Sequence, residues 1–496
     1  MPSSSIHSSA QTIGGFARKI AAMGQPDLKV VLDNHSDHKI YTTLDAISGK
    51  IEVTAPFNVR FDEIRITFEG IAKTHVEIMS PATSRARTSA VHNFLRLTMP
   101  MRDADYPTPR VAESGRTYKF PFNFVIPEQL LPRSCQHACT GEHVQQAHLQ
   151  LPPTMGDKEV AGQDDMAPEM ARIQYGVRVR VLSHSDETNE RVVIGEKIKK
   201  IHVVPAQDEA PPMMGMDDFK MSKTKVLRKG VFSGKLGKIT VSAEQPSALM
   251  LPPPSAASTT PATTMAKVKL QFEPHSESSQ PPRLNGLTTK MKTSTFFSVK
   301  PIDRLLYKGG SHIDFDPFRG VYETNMTINS RCVEGVSWVK TASELRRKNS
   351  SSSTSSSEFS DSPLSGNDSG IYYTAEILVP ITLPSSKKWI PTFHTCVASR
   401  VYQLDLSLGV HSMGSGIPST SITLHLPIQI GACGSGVQRA QLTPAEAAAE
   451  LADAEEFLRP RYIEAPAPEF VGNSVIHEDL PPSYFVAAAP AGQAVH

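Results

Sequence analysis

At 496 residues the chain has room for two or three domains, each with its own core, and a formal net charge of +1 argues against a nucleic-acid platform. A hydrophobic content of 39% diluted by 39 prolines points to sizeable disordered segments beside the folded part. Five scattered cysteines make no disulfide framework, and no run nears the roughly 18 apolar residues of a membrane span, so an intracellular protein is expected.

Residues 1–24 contain no acid and no secretory pattern. Phe16 to Met23 is at most a short basic amphipathic turn, and the segment is expected to be a disordered arm. From Leu28 the apolar residues recur with period two, the mark of half-buried strands. Leu28, Val30 and Leu32 begin the pattern, and Ile64, Ile66 and Phe68 alternate with Arg65, Thr67 and Glu69. Tyr118, Phe120, Phe122, Phe124 and Ile126 form the clearest run, with Pro121 inside it predicting an edge strand or a bulge. Ile173, Tyr175, Val177, Val179 and Val181 form another, and residues 191–204 a further one. Turn-forming clusters separate the runs and no long helical pattern interrupts them, so residues 25–208 are predicted to be an antiparallel β-sandwich.

Residues 209–222, with Pro211, Pro212 and Gly215, read as a hinge. Strands resume over 223–242, 266–273, 286–299, 321–328, 332–340, 371–383, 396–408 and 421–430, giving a second sandwich over 223–432. Two stretches within it, 246–264 and 341–370, are expected to be low-complexity inserts. The first is rich in Pro, Ser, Thr and Ala and the second holds a serine tract, so neither buries enough apolar surface to offset its ordering entropy. The fold class is therefore all-β: two antiparallel immunoglobulin-like β-sandwiches in tandem.

Residues 433–496 form a tail. Thr443-Pro444-Ala445-Glu446 is a capping box with proline at the first helical position, predicting a helix over 444–458 that stops before Pro460. The rest is Pro/Ala-rich and expected to be disordered. On this tether sits Pro481-Pro482-Ser483-Tyr484. Two prolines favour an extended polyproline II segment that loses little entropy on docking into an aromatic-lined groove, the mode used by WW domains. Pro481 and Pro482 would lie on the groove and Tyr484 in the neighbouring pocket, with Glu478 and Asp479 steering towards a basic partner.

Several segments are similar to those of the arrestin superfamily, and together with the tail they resemble the fungal α-arrestins, the arrestin-related trafficking adaptors. They are Tyr118 to Pro127 followed by Leu130-Leu-Pro132 and Cys135, His148 to Pro153 with Gly156-Asp157, and Ala171 to Tyr175. In the second half they are Val231 to Lys238, Pro391-Thr-Phe-His394 and Arg400-Val-Tyr402. The resemblance spans residues 25–432 and departs from a minimal arrestin in its serine insert and its single Pro-Pro-x-Tyr. It implies an arrestin fold and a non-enzymatic adaptor joining the cytoplasmic tails of membrane transporters or receptors to a HECT-type ubiquitin ligase whose WW domain reads Pro481, Pro482 and Tyr484. Cargo ubiquitination and endocytosis would follow, with the protein cytoplasmic, recruited to plasma membrane or endosomes, and touching membranes only peripherally. The alternative is a signalling scaffold of the same fold, serving nutrient or pH sensing, with ligase recruitment secondary.

Other residue groups admit both a functional and a plainer role. Arg346-Arg-Lys-Asn-Ser350 suits a basophilic kinase, making Ser350, Ser351, Ser352 and Ser353 candidate phosphorylation sites and a possible dock for an Arg-lined phospho-reader. Cys135 and Cys139 with His137, His143 and His148 have zinc-ligand spacing. Buried cysteine is commonly a small hydrophobe, so no metal and no cofactor is expected. Arg178, Arg180, Lys197, Lys199 and Lys200 could line a basic strip for anionic lipid or an acidic tail, although a solvated outer sheet face is the expected role. No nucleophile elbow, phosphate-cradling loop or zincin helix is present, so no catalytic residue is expected.

Overall fold

The period-two runs become the two sheets of an N-terminal sandwich. The computed structural model describes residues 25–434 except 80–84, 185–189, 211–219, 230–233, 255–260, 307–315, 343–370 and 412–419. One sheet has the order β1 (Asp27–Leu32), β3 (Ala46–Thr54), β8 (Thr117–Val125). The other runs β2 (Ile40–Tyr41), β10 (Arg191–Val203), β9 (Ala171–His184), β5 (Glu63–Met79), β6 (Arg85–Thr98). The short strands β4 (Val59–Arg60) and β7 (Val111–Ala112) pair with each other. Pairing is antiparallel except between β10 and β2. Phe120, Phe122, Phe124 and Ile126 are buried with Ile47, Ile51, Phe68, Val177 and Val179 in one core, each side chain contributing about 1.5–3 kcal/mol. Pro121 lies opposite Lys50 on β8, an edge strand as its missing N–H requires.

The second sandwich stacks two larger sheets around a core that includes Phe272, Leu404, Leu406, Leu424 and Trp389. One sheet is β11 (Lys220–Arg228), β12 (Lys235–Glu244), β14 (Thr263–Pro274), β18 (Ile371–Thr382), β17 (Val339–Ala342). The other is β16 (Arg319–Cys332), β15 (Arg283–Ser298), β20 (Ala398–His411), β19 (Phe393–His394), with β21 (Thr420–Ile428) also paired to β20. Both sandwiches belong to one compact unit. Among the described residues no helix is long and apolar enough to cross a membrane.

The structure departs from the predicted elements in several places, and most of the strand expected over 332–340 is a turn and loop between β16 and β17. The single run expected over 223–242 is a hairpin, β11 and β12, paired antiparallel. Residues 249–251, expected inside a low-complexity insert, form β13 (Leu249–Leu251), which pairs in parallel with β22 (Ile430–Ala432). A three-residue strand is too short to show periodicity and needs its partner to exist. Two short helices, α1 (Glu142–His148) and α2 (Lys158–Ala161), interrupt the N-terminal sandwich and are too brief for a 3.6-residue pattern to register. The N-terminal arm, the centre of the hinge, Ser350–Ser353, the helix expected over 444–458, and Pro481, Pro482 and Tyr484 lie outside the described residues.

Candidate functional site at the junction of the two sandwiches

The chemically densest part of the described structure is where the loop-and-helix segment 132–148 meets the connection between β19 and β20. A 3-10 turn, Pro132–Ser134, delivers Cys135 into the N-terminal core, where it is buried. In α1 the buried residues are Val144, Ala147 and His148, the i, i+3, i+4 stripe that turns His148 inward while His143 stays exposed. From the second sandwich, Thr395 folds a tight turn: its hydroxyl donates to the Ala398 carbonyl at 2.8 Å and accepts from the Ala398 N–H at 3.0 Å. Cys396 rides on that turn, its carbonyl accepting from the Ile302 N–H at 2.7 Å. Ile390, Phe393, Cys396, Val397 and Ala398 all pack in the core of the N-terminal sandwich, so this loop plugs one domain into the other.

Cysteine and histidine side chains therefore converge from both domains. Cys135 Sγ lies 3.4 Å from His137 Nε2 and 3.6 Å from His148 Nδ1. The ligand atoms of Cys135, His137, His148 and Cys396 all lie within 4.8 Å of one another. Cys139 sits at the margin, 3.8 Å from Cys135 and 4.0 Å from His148 Nδ1. All of these cysteines are free thiols. Burial, helped by the neighbouring His137, His394 and His92, pushes the His148 imidazole down to about 3, so it is neutral at pH 7. Burial and then the adjoining Cys135 push the Cys139 thiol up to about 11, and burial foremost raises Cys396 as well. His143, grouped with this cluster on sequence spacing, is not part of it.

Around the cluster the junction is held by polar contacts as well as packing. Arg400 of β20 is fully buried, donating through Nη1 to the Asp165 carbonyl at 3.0 Å and through Nη2 to Met155 Sδ at 3.5 Å. Asp164 pairs with Lys387 at 2.5 Å, and Thr74 donates to the Ser298 carbonyl at 2.6 Å. Gln207 and Ala432 exchange both backbone hydrogen bonds at 2.9 Å. Met166 adopts φ 58, in the left-handed region that a non-glycine residue rarely occupies, immediately after the carbonyl that takes Arg400.

The basic residues on β9 and β10 are interleaved with acids, as the solvated sheet face expected of them would be. Arg178 pairs with buried Glu69 at 2.8 Å and also with Glu196, which takes Arg180 at 3.0 Å. Lys200 pairs with Asp157 at 3.1 Å and Glu159 at 2.8 Å, and Lys199 with Asp37 at 3.7 Å. Interleaved acids thus cancel most of the positive field, which suits a solvated sheet face better than an anionic-lipid dock. Sequence reasoning missed Cys396 and Arg400 as junction residues. The segment carrying them, Pro391 to Tyr402, was visible as a family-like landmark, but nothing local in it names a partner in the other domain.

No curated protein matches the chain. Residues 28–194 match the family model for the arrestin (or S-antigen) N-terminal domain, a span that begins in β1 and ends within β10 and so covers nearly the whole N-terminal sandwich. That match supports an arrestin-type N-terminal domain in this chain.

Proposed function

We propose that the protein is a non-enzymatic trafficking adaptor of the α-arrestin kind. In this reading the double sandwich selects the cytoplasmic tail of a membrane transporter or receptor, and the tail segment Pro481-Pro482-Ser483-Tyr484 recruits a WW-domain HECT ubiquitin ligase. The observation that carries it is the arrestin N-terminal domain match in a chain whose C-terminal region bears a Pro-Pro-x-Tyr sequence. Holding ligase and cargo on one body raises the local concentration of cargo lysines at the ligase, so the adaptor needs no catalytic group of its own. Its place of action would be the cytoplasm and, on recruitment, the plasma membrane or endosomes. Phosphorylation of Ser350, Ser351, Ser352 and Ser353 would add a cluster of negative charge for an Arg-lined reader.

Co-purification from cells tests the recruitment step. Tyr484→Ala is expected to abolish ligase capture while leaving the circular-dichroism spectrum of the full chain unchanged. Undiminished capture would overturn recruitment through this motif. Loss of capture with normal cargo ubiquitination would instead favour the scaffold reading, in which ligase recruitment is secondary.

A further inference from the structure

The cysteines and histidines at the junction have the chemistry and the spacing of a metal site, and their ligand atoms come from both domains. A tetrahedral zinc ion with Zn–S about 2.3 Å and Zn–N about 2.0–2.1 Å separates its ligands by roughly 3.8 Å between two sulfurs and about 3.6 Å between sulfur and nitrogen. Cys135 Sγ stands 3.4 Å from His137 Nε2 and 3.6 Å from His148 Nδ1, so two edges of such a tetrahedron already have the right length. Cys396 completes the set of four, all within 4.8 Å of one another.

Ordinary packing explains the cluster poorly. His148 is 2% exposed, and the hydrogen-bond partners its ring meets are the sulfurs of Cys135 and Cys139, while Nε2 has none among the described residues. Nδ1, the ring atom that faces Cys135, has only sulfur to meet, a weak partner for a buried imidazole and the position a metal would take. His137 is oriented as a ligand would be. Its Nδ1–H donates to the Ala138 carbonyl at 3.0 Å, which leaves the Nε2 lone pair facing Cys135, the arrangement that fixes the tautomer of metal-bound histidines.

We propose that Cys135, His137, His148 and Cys396 bind one structural zinc ion that clasps the two sandwiches together. Two thiolates and two neutral imidazoles in a closed set of four match tetrahedral zinc rather than a hard oxygen-seeking cation, and no position is left open for catalysis. Binding displaces the thiol protons, as thiolate coordination requires. The first three ligands belong to the segment between β8 and β9 of the N-terminal sandwich, and Cys396 belongs to the β19–β20 turn of the second. The ion therefore adds to the packing and polar contacts that already oppose sliding of one domain against the other. Cys139 lies 3.8 Å from Cys135 but outside the set of four, and is assigned no ligand role. The clasp stands independently of the adaptor reading, because it concerns the junction and not the tail.

The test uses the full chain purified without chelator from zinc-supplemented cells, with metal measured by inductively coupled plasma mass spectrometry. About one zinc per chain is expected in the wild type and in Cys139→Ser, with at least a several-fold loss in Cys396→Ser and His148→Gln. Replacement by cobalt(II) should give intense tetrahedral d–d bands and a thiolate charge-transfer band, both weakened in Cys396→Ser. Wild-type protein without stoichiometric zinc overturns the proposal, as does an unchanged zinc content in a folded Cys396→Ser variant. A metal-free Cys135–Cys139 or Cys135–Cys396 disulfide, found by non-reducing peptide mapping, overturns it too. Should the variants fail to fold, the wild type still decides: Cys135 and Cys396 are expected to resist alkylation until a chelator removes the metal, and equal labelling rates with and without chelator would refute the clasp.

Discussion

Glu69 offers the sharpest quantitative test of the electrostatics inside the N-terminal sandwich. Its carboxylate is 3% exposed and accepts from Arg178 Nε at 2.8 Å and from the Thr67 hydroxyl at 3.0 Å, with Arg96 Nε a further 3.6 Å away. Glu69→Ala leaves Arg178, itself only 19% exposed, without its buried partner. Removing one member of a buried pair destabilises by roughly 3–5 kcal/mol, because the other charge is stranded away from water. Arg178 keeps Glu196, a more exposed partner, so the lower end applies, about 3 kcal/mol. A double-mutant cycle with Arg178→Ala should show the double variant losing about 1–2 kcal/mol less than the sum of the single losses. Both tryptophans, Trp338 and Trp389, lie in the second sandwich, so intrinsic fluorescence would report the wrong domain. Amide hydrogen exchange of β5 and β9 in the full chain reads the correct one. A loss below about 1 kcal/mol, the range of exposed pairs, would refute the view that this network is buried in its energetics.

Two further outcomes follow from buried polar groups. Burial foremost, and then the nearby Lys388, holds His202 at about 4, below the usual 6.5, so the unfolded chain binds the extra proton between those values. Its contribution is complete above pH 6.5 and is lost as pH falls towards 4, about 3 kcal/mol in all. Chemical denaturation across that window should show a shallower acid limb in His202→Phe, and an unchanged slope would refute the assignment. Tyr175→Phe should destabilise by about 1–2 kcal/mol, because the buried hydroxyl donates to the Pro152 carbonyl at 2.7 Å and that acceptor loses its donor. Retention of the wild-type exchange rates in β9 would contradict it.

How much could be read from the sequence differs from element to element for physical reasons. The run from Tyr118 to Ile126 alternates because a pleated strand sends successive side chains to opposite faces, so its burial pattern was legible residue by residue, down to the edge position of Pro121. The strand Leu249–Leu251 was not, since its existence depends on Ile430–Ala432 lying alongside. The charges on β9 and β10 were legible as charges but not as a surface. Arg178 meets Glu69 across 109 positions of chain, so the sign of the field there is a property of the sheet and not of either strand.

By itself the sequence determined the all-β class, the tandem arrangement of sandwiches and the faces their side chains would bury, because period and turn chemistry act over a few residues. It also displayed the Pro-Pro-x-Tyr segment, which is legible as a short extended peptide irrespective of the body that carries it. Only the tertiary structure decided what the junction is made of. Cys135, His137 and His148 are a local group with an ambiguous spacing, and Cys396 arrives from the other domain, its Sγ 3.7 Å from the Ser134 carbonyl oxygen across 262 positions. Long-range pairing of this kind is set by how two finished cores dock, and no local pattern in the chain encodes it.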